Sequence, residues 1–247
     1  MGSPAAAPEY FIAQLRDRRE VAERTLACEF ERPAGFEFKA GQSVDMTLLN
    51  PPETDAEGDK RAFSIASAPH ENTLLFATRL RDTAFKRVLK SLPLGSEVKI
   101  EGPFGNMTLH NKAARPAVIL AGGIGITPFR SMVIRAAHEK LPHRIFLFFS
   151  NRRPEDAPFL AELQGLEHQN PNFQLIATMT QTGKSRQPWK GETGLINQGM
   201  LERHLKEAAS PIYYVAGPPA MVKALHAVLN AAGADDDDIR SEEFSGY

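Results

Sequence analysis

Apolar residues in the first hundred positions come in short bursts interleaved with polar ones, the period of a half-buried strand. Residues 10–15, 21–30, 43–49, 61–66, 74–80 and 97–101 are predicted strands. Turn formers separate most of them: Pro33 with Gly35, Gly41, Pro51 with Pro52, Pro69 and Gly95. Short strands at this spacing predict a small antiparallel β-barrel or sandwich, interrupted by one helix over 83–91. Residues 50–59, polar and Pro-containing, are expected to form a mobile hairpin tip.

From about residue 111 the pattern changes. Runs 117–121, 145–149, 173–178 and 212–216 are apolar at successive positions, as in strands buried on both faces. Helical faces lie between them. Phe129, Met132, Val133 and Ala136 share one, and Phe159, Leu160, Leu163 and Leu166 a second. Met221, Val222, Leu225, Val228 and Leu229 make a third, with Gly233 as its C-cap. Strand–helix alternation predicts a parallel sheet with helices on both faces. The expected organisation is a disordered leader over 1–8, a β-barrel domain over 9–112 and a Rossmann-like α/β domain over 113–247.

Charge and cysteine content narrow the function classes. Lys plus Arg (29) nearly balance Asp plus Glu (30), for a formal net charge of −1. That balance disfavours nucleic acid or an anionic membrane as partner. Cys28 is the single cysteine, so the chain has no internal disulfide and no thiolate set for zinc or an iron–sulfur cluster. A reducing, cytoplasmic setting is expected. No apolar run reaches the roughly 18–20 residues of a membrane span, so no membrane insertion is expected. The acidic run 235–238 reads as a solvated loop, and most histidines as surface residues. No metal site is expected: the seven histidines show no His-x-x-x-His spacing. Neither a Gly-x-Ser-x-Gly elbow nor a Walker loop appears.

Three segments carry candidate chemistry. Leu120-Ala-Gly-Gly-Ile-Gly-Ile-Thr-Pro128 follows a buried strand and opens a helix, with Thr127 placed as N-cap and Pro128 at the first helical position. Its glycines admit a ligand close to the backbone, and the helix start offers free N–H groups to a phosphate. A second turn, Val215-Ala-Gly-Pro-Pro-Ala-Met221, ends the fourth buried strand on the same sheet edge. Two such turns make a cleft suited to a dinucleotide. In the barrel, Arg61-Ala-Phe-Ser-Ile-Ala-Ser67 alternates a cation, an aromatic ring and a hydroxyl along one strand face. The same segment also reads as an ordinary strand with one polar face.

In this order the pieces resemble the ferredoxin–NADP reductase superfamily over nearly the whole chain. The flavin motif Arg-x-Tyr/Phe-Ser-x-x-Ser is matched by Arg61, Ala62, Phe63, Ser64 and Ser67, and the Gly-Pro-x-Gly segment by Gly102, Pro103 and Gly105. The nicotinamide turn is matched by Gly122, Gly123, Gly125, Thr127 and Pro128, and the Cys-Gly-Pro-x-x-Met motif by Gly217, Pro218 and Met221. The resemblance implies FAD (in preference to FMN) in the barrel and NADH or NADPH on the sheet, with hydride passing from the nicotinamide to the flavin. Arg61 is then expected at the flavin phosphate, Phe63 along the ring and Ser64 at its reactive nitrogen edge. Thr78, Arg79 and Thr83 are expected near the ribityl and pyrophosphate, and Thr127 where the two rings meet. The Glu-x-Phe pattern places Glu242 and Phe244 at the flavin face, with Tyr247 as the alternative cover. Ala216 departs from the family's cysteine, which leaves the rate of hydride transfer in question. Met179-Thr-Gln181 stands where NADP-selective members carry Ser-Arg, so NADH is expected, with Lys184, Arg186, Arg152 and Arg153 as substitute grips. A ferredoxin or oxygenase component is the expected electron acceptor. A non-catalytic dinucleotide-binding regulatory subunit and a reductase of free flavin or oxygen are the competing readings.

Overall fold

A computed structural model of the chain describes residues 10–206 and 208–245. Strands β1 (Tyr10–Ala22), β2 (Thr25–Glu31), β3 (Ser43–Leu48), β4 (Lys60–Ser64), β5 (Thr73–Arg79) and β6 (Glu97–Phe104) pair antiparallel in the order β4-β3-β6-β1-β2-β5. The sheet curls until its edges meet. Ala66, just past β4, donates its N–H to the Leu75 carbonyl of β5 at 2.8 Å, and Ser67 Oγ accepts from Leu75 N at 3.0 Å. Every second side chain points inward, so Leu15, Phe30, Val44, Met46, Phe76 and Val98 fill the interior. Helix α1 (Ala84–Ser91) adds Phe85, Val88 and Leu89 to that core. Thr83 caps it by accepting from Lys86 N.

The strand expected over 21–30 is instead the end of β1, a turn and the start of β2. The reversal falls at Glu23 and Arg24, with Arg24 in left-handed backbone (φ 55°) and its N–H held by Glu20 Oε1 at 2.6 Å. Side-chain capping does the work that glycine or asparagine normally signals. Cys28 on β2 is 1% exposed, and burial pushes its thiol up to about 12.

The second sheet is wholly parallel. β7 (Ala117–Gly122), β8 (Ile145–Asn151), β9 (Phe173–Met179), β10 (Glu192–Thr193), β11 (Ile212–Gly217) and β12 (Ile239–Glu243) lie in the order β10-β9-β8-β7-β11-β12. Helices α2 (Thr127–His138) and α3 (Leu160–Gln169) bury Phe129, Met132, Val133 and Leu163 against one face. Helices α4 (Gln198–His204) and α5 (Pro219–Ala231) bury Met200, Leu201, Leu225 and Leu229 against the other. The chain leaves β7 in one direction and returns to β11 on its other side, so the strand order reverses between them. Ligands enter open α/β sheets at such a point. β10, β12 and α4 were not expected. β12 reads Ile-Arg-Ser-Glu-Glu, a sequence for an edge strand with much of its surface in water.

The barrel and the parallel sheet are packed into one interior. Ala27, Ala66, Leu75 and Ala77 of the barrel belong to the same buried cluster as Phe129 and Met132 of α2. Arg130 of α2, 5% exposed, spans the junction. It donates to Ala66 O (2.7 Å), to Glu71 (3.1 and 3.2 Å) and bidentately to Glu162 (2.8 and 2.6 Å). Five of the seven histidines are exposed or half-buried, as expected of most of them, while His110, in the connecting segment, and His143, before β8, are buried. His110 donates its backbone N–H to Tyr214 Oη at 2.9 Å, and its Nδ1 lies 2.8 Å from the same oxygen. His143 Nε2 is 2.7 Å from His110 O. In the acidic run, Asp238 is not a free loop residue but grips Arg115 bidentately. Among the described residues no helix is long and apolar enough to cross a membrane.

Candidate functional site

Two neighbouring cavities open between the barrel and the carboxyl edge of the parallel sheet. The first, about 310 Å³, has a barrel wall of Arg61, Ala62, Phe63 and Ser64 from β4, Thr78 and Arg79 from β5, and Thr83 at the cap of α1. Its opposite wall is Ile124 and Thr127, and Phe244 with Ser245 lines it from the segment after β12. Thus the flavin-motif residues Arg61 to Ser64 and the turn residue Thr127, over sixty positions apart, face one space. Ser64 Oγ is buried and finds no hydrogen-bond partner among the described residues. Buried hydroxyls are almost always paired in native proteins, so this one, at a cavity wall, is a candidate for a ligand contact.

Arg61 is fixed in place. Its Nη1 donates to the carbonyls of Glu57 (2.8 Å), Gly58 (3.1 Å) and Lys60 (2.7 Å), Nη2 pairs with the Glu57 carboxylate at 2.8 Å, and the guanidinium lies over the Phe85 ring. Segment 50–59 is therefore tethered and not a free hairpin tip. Asp55 also accepts from Ala84 N at 2.9 Å, and Glu53 pairs with Arg87. Two further cations line the same cavity, Arg81 and Lys86. Burial, with Arg81 and Arg61 adding to it, pushes the Lys86 ammonium down. The sequence reading missed Lys86; its place three residues beyond the capping Thr83, on the same helix face, was the available signal.

The second cavity, about 410 Å³, sits over the strand-order reversal. Gly122 and Gly123 line it from β7, Ser150, Asn151 and Arg152 from the end of β8, Thr180 from beyond β9, and Pro218 with Met221 from the start of α5. Arg79 and Arg81 border both cavities and join them; Arg24 and Asp156 complete this rim. Arg79 is anchored on Glu23 O (2.9 Å) and Thr25 Oγ1 (3.0 Å).

Several expected site residues do other work. β4 ends at Ser64, so the alternation does not continue to Ser67, which closes the barrel seam and lines neither cavity. Gly102 (φ 138°) lets β6 pass β3, because a Cβ there would lie 3.2 Å from Ser43 O; it too lies outside both cavities. A 3₁₀ turn, Gly123–Ile126, intervenes before α2, so Thr127 is inside the helix and is not its N-cap. Its Oγ1 donates to Ile124 O at 3.0 Å. Pro128 is buried in the first turn of α2 and reaches no cavity. Gly125 is structural: a Cβ would stand 2.6 Å from Ala216 C and 2.8 Å from Gly217 N, so only glycine lets the β7 turn rest on β11. Gly217 accepts from Phe244 N at 2.9 Å, which holds the segment after β12 against the site. Ala216 is fully buried and borders neither cavity. Glu242 pairs with Ala216 inside β12 and lines neither cavity; burial pushes its carboxyl up. Tyr247 lies outside the described residues.

Comparison with known proteins agrees with this geometry. The oxidoreductase NAD-binding domain family matches residues 119–227, the stretch that supplies most of the second cavity. A glycine betaine monooxygenase reductase subunit of Chromohalobacter salexigens is 30% identical over 90% of this chain, which spans 60% of that protein. The ferredoxin–NADP reductase B of Sorangium cellulosum is also 30% identical, over 86% of this chain and 84% of its own length. The chain belongs to the ferredoxin–NADP reductase superfamily. In fold, a superfamily member from Neisseria gonorrhoeae, a ferredoxin NADP+ reductase solved with bound FAD and NADP, superposes with a TM-score of 0.77. That match covers 95% of this chain and 98% of that one at 20% identity.

Proposed function

We propose that the protein is a flavin-dependent NAD(P)H reductase. It binds FAD in the barrel cavity, receives NADH or NADPH over the parallel-sheet turns, and passes electrons to a separate protein such as a ferredoxin or an oxygenase component. The observation that carries this reading is the meeting of the two cavities along Arg79 and Arg81, with the unpaired Ser64 hydroxyl in one and the Gly122–Gly123 backbone in the other. The residues present fit the cofactor. Arg61, Arg81 and Lys86 supply cations for its phosphates, Phe63 an aromatic wall and Ser64 a donor for a ring heteroatom.

Bound there, the flavin supplies the redox chemistry, accepting a hydride from the nicotinamide and yielding electrons to an acceptor. The chain contributes position. Holding two flat rings in contact at roughly 3–3.5 Å removes several kcal/mol of the barrier. Thr127, Ile124 and Phe244 line the first cavity from the parallel-sheet side. The 247 residues hold one cysteine and so no ligand set for an iron–sulfur cluster of their own. The proposed acceptor is a ferredoxin or an oxygenase component, in keeping with the monooxygenase reductase subunit that the chain resembles, and a reducing, cytoplasmic setting is proposed with it.

The purified protein is expected to be yellow and to lose its visible flavin absorbance anaerobically on addition of NADH or NADPH. Chromatography of the released cofactor is expected to give FAD. A colourless protein that does not take up flavin, or a yellow one that neither nucleotide bleaches, overturns the proposal.

A further inference from the structure

The end of the parallel sheet away from the cleft holds a separate cavity of about 480 Å³, which shares no lining residue with the two already described. Three cations reach it from three parts of the chain: Lys39 from the β2–β3 connection, Arg135 from the last turn of α2 and Arg240 from β12. Elsewhere in this protein arginines are spent on carboxylates, as Arg61 is on Glu57, Arg115 on Asp238 and Arg153 on Asp156. Here the lining includes one carboxylate, Glu139, and Arg135 holds it at 2.9 Å. No carboxylate pairs with Arg240 or Lys39 among the described residues. Two positive charges are therefore left unmatched in one concave space, an arrangement that favours an anion.

Arg240 is held ready for one. Its Nη1 donates to Thr108 O at 2.7 Å, and its guanidinium lies 5.4 Å from the ring centroid of the buried Tyr214. That fixes the plane of the fork and leaves its other N–H groups unused by the described residues. Apolar surface stands beside the charge. Phe38, 8% exposed, lines the cavity with Leu109 and Pro69, and Asn111 adds an amide. The volume falls in the range of sites for small organic ligands. Guanidinium forks match the paired oxygens of carboxylates and phosphates alike. We propose that this cavity binds a small organic anion carrying two or more carboxylate or phosphate groups, its charges on Arg240 and Lys39 and its carbon body on Phe38 and Leu109. Bound there, the anion ties Lys39 of the barrel to β12 of the sheet. The site is remote from the cleft: α2 opens with Thr127 at the flavin cavity and brings Arg135 here, about 12 Å further along its axis. The inference goes beyond the reductase reading and does not depend on it.

Calorimetric titration of the purified protein with citrate and with fructose 1,6-bisphosphate, in about 0.15 M chloride to screen loose surface binding, tests the site. At least one of the two is expected to bind with a Kd below about 1 mM; which one binds tells carboxylates from phosphates as the natural charge. Arg240→Met and Lys39→Met are each expected to weaken that binding about tenfold or more, the worth of one charge-assisted contact. Lys39 is exposed and its side chain holds no partner among the described residues, so Lys39→Met keeps the test open should Arg240→Met fail to fold. Arg81→Met, in the cleft, is expected to leave the affinity within about twofold. Binding of neither anion overturns the proposal. So does binding that survives Lys39→Met but is lost in Arg81→Met, which places the anion in the cleft.

Discussion

Arg130 is the residue on which the junction between barrel and sheet most depends, and its removal has a size that follows from its contacts. Its five N–H groups meet Ala66 O, both oxygens of Glu71 and both of Glu162. Breaking a fully buried pair costs about 3–5 kcal/mol, because a charge is left without compensation. Here the charges left behind are carboxylates whose side chains are 30% and 39% exposed, so water partly rehydrates them. Against that discount stand the lost packing of the stem, 6% exposed, and the stranded Ala66 carbonyl. About 3 kcal/mol for Arg130→Ala is the expected result. Guanidinium unfolding followed by far-ultraviolet circular dichroism and by Trp189 fluorescence would measure it, with Arg130→Met separating charge from volume. Trp189 packs against the shared cluster, so the two probes are expected to shift together. A loss under about 1 kcal/mol would refute the reasoning, since the arginine would then be no better than a surface pair.

Ser64→Ala is expected to slow flavin reduction about tenfold or more in stopped flow, the worth of one hydrogen bond to a developing charge, and an unchanged rate removes Ser64 from the mechanism. Gly125→Ala forces a methyl into the Ala216 and Gly217 backbone and is expected to cost at least about 1–3 kcal/mol. At Gly122 the atom in the way belongs to the flexible Met221 side chain, so Gly122→Ala is expected to cost less; equal losses in thermal unfolding would contradict the distinction. A chain ending at Glu243 keeps β12 and loses Phe244, and is expected to bind flavin less tightly in fluorescence titration; identical affinity shows that Phe244 covers nothing. Burial, chiefly, lowers the His110 pKa, with His143 and Arg240 nearby adding to it. The unfolded chain takes up this proton near its ordinary pKa of 6.5 while the folded chain does not. Stability is therefore expected to fall as pH drops below about 6.5, and His110→Gln to flatten that slope; a slope unchanged in the variant rejects His110 as its source.

Periodicity made the two-part architecture legible, because a change from period two to continuous apolar runs is a change of sheet type. It could not reveal β12, whose edge position permits polar residues on both faces, nor the reversal at Glu23 and Arg24, where side chains replace a turn former. The candidate site divided in the same way. Arg61 to Ser64 and the Gly122 turn were readable as motifs, and the fold brings them to one cleft. Ser67, Gly102, Gly125 and Pro128 belong to those motifs too, but they shape the backbone that carries the lining residues. Motif membership alone does not separate the two kinds. Arg130 and Asn151 were invisible because the first depends on partners more than thirty positions away and the second on the lack of any, whereas Lys86 had a local signal in the capping Thr83 that was not used.

The lone thiol of Cys28 has a practical use. It lies on β2 between β1 and β5, opposite Arg18 and Phe76, and a maleimide can reach it only when those three strands part. Its alkylation rate therefore clocks the opening of the barrel by itself. Run with and without flavin or nicotinamide, that clock reports whether filling either cavity tightens the half of the molecule that the sheet does not contain.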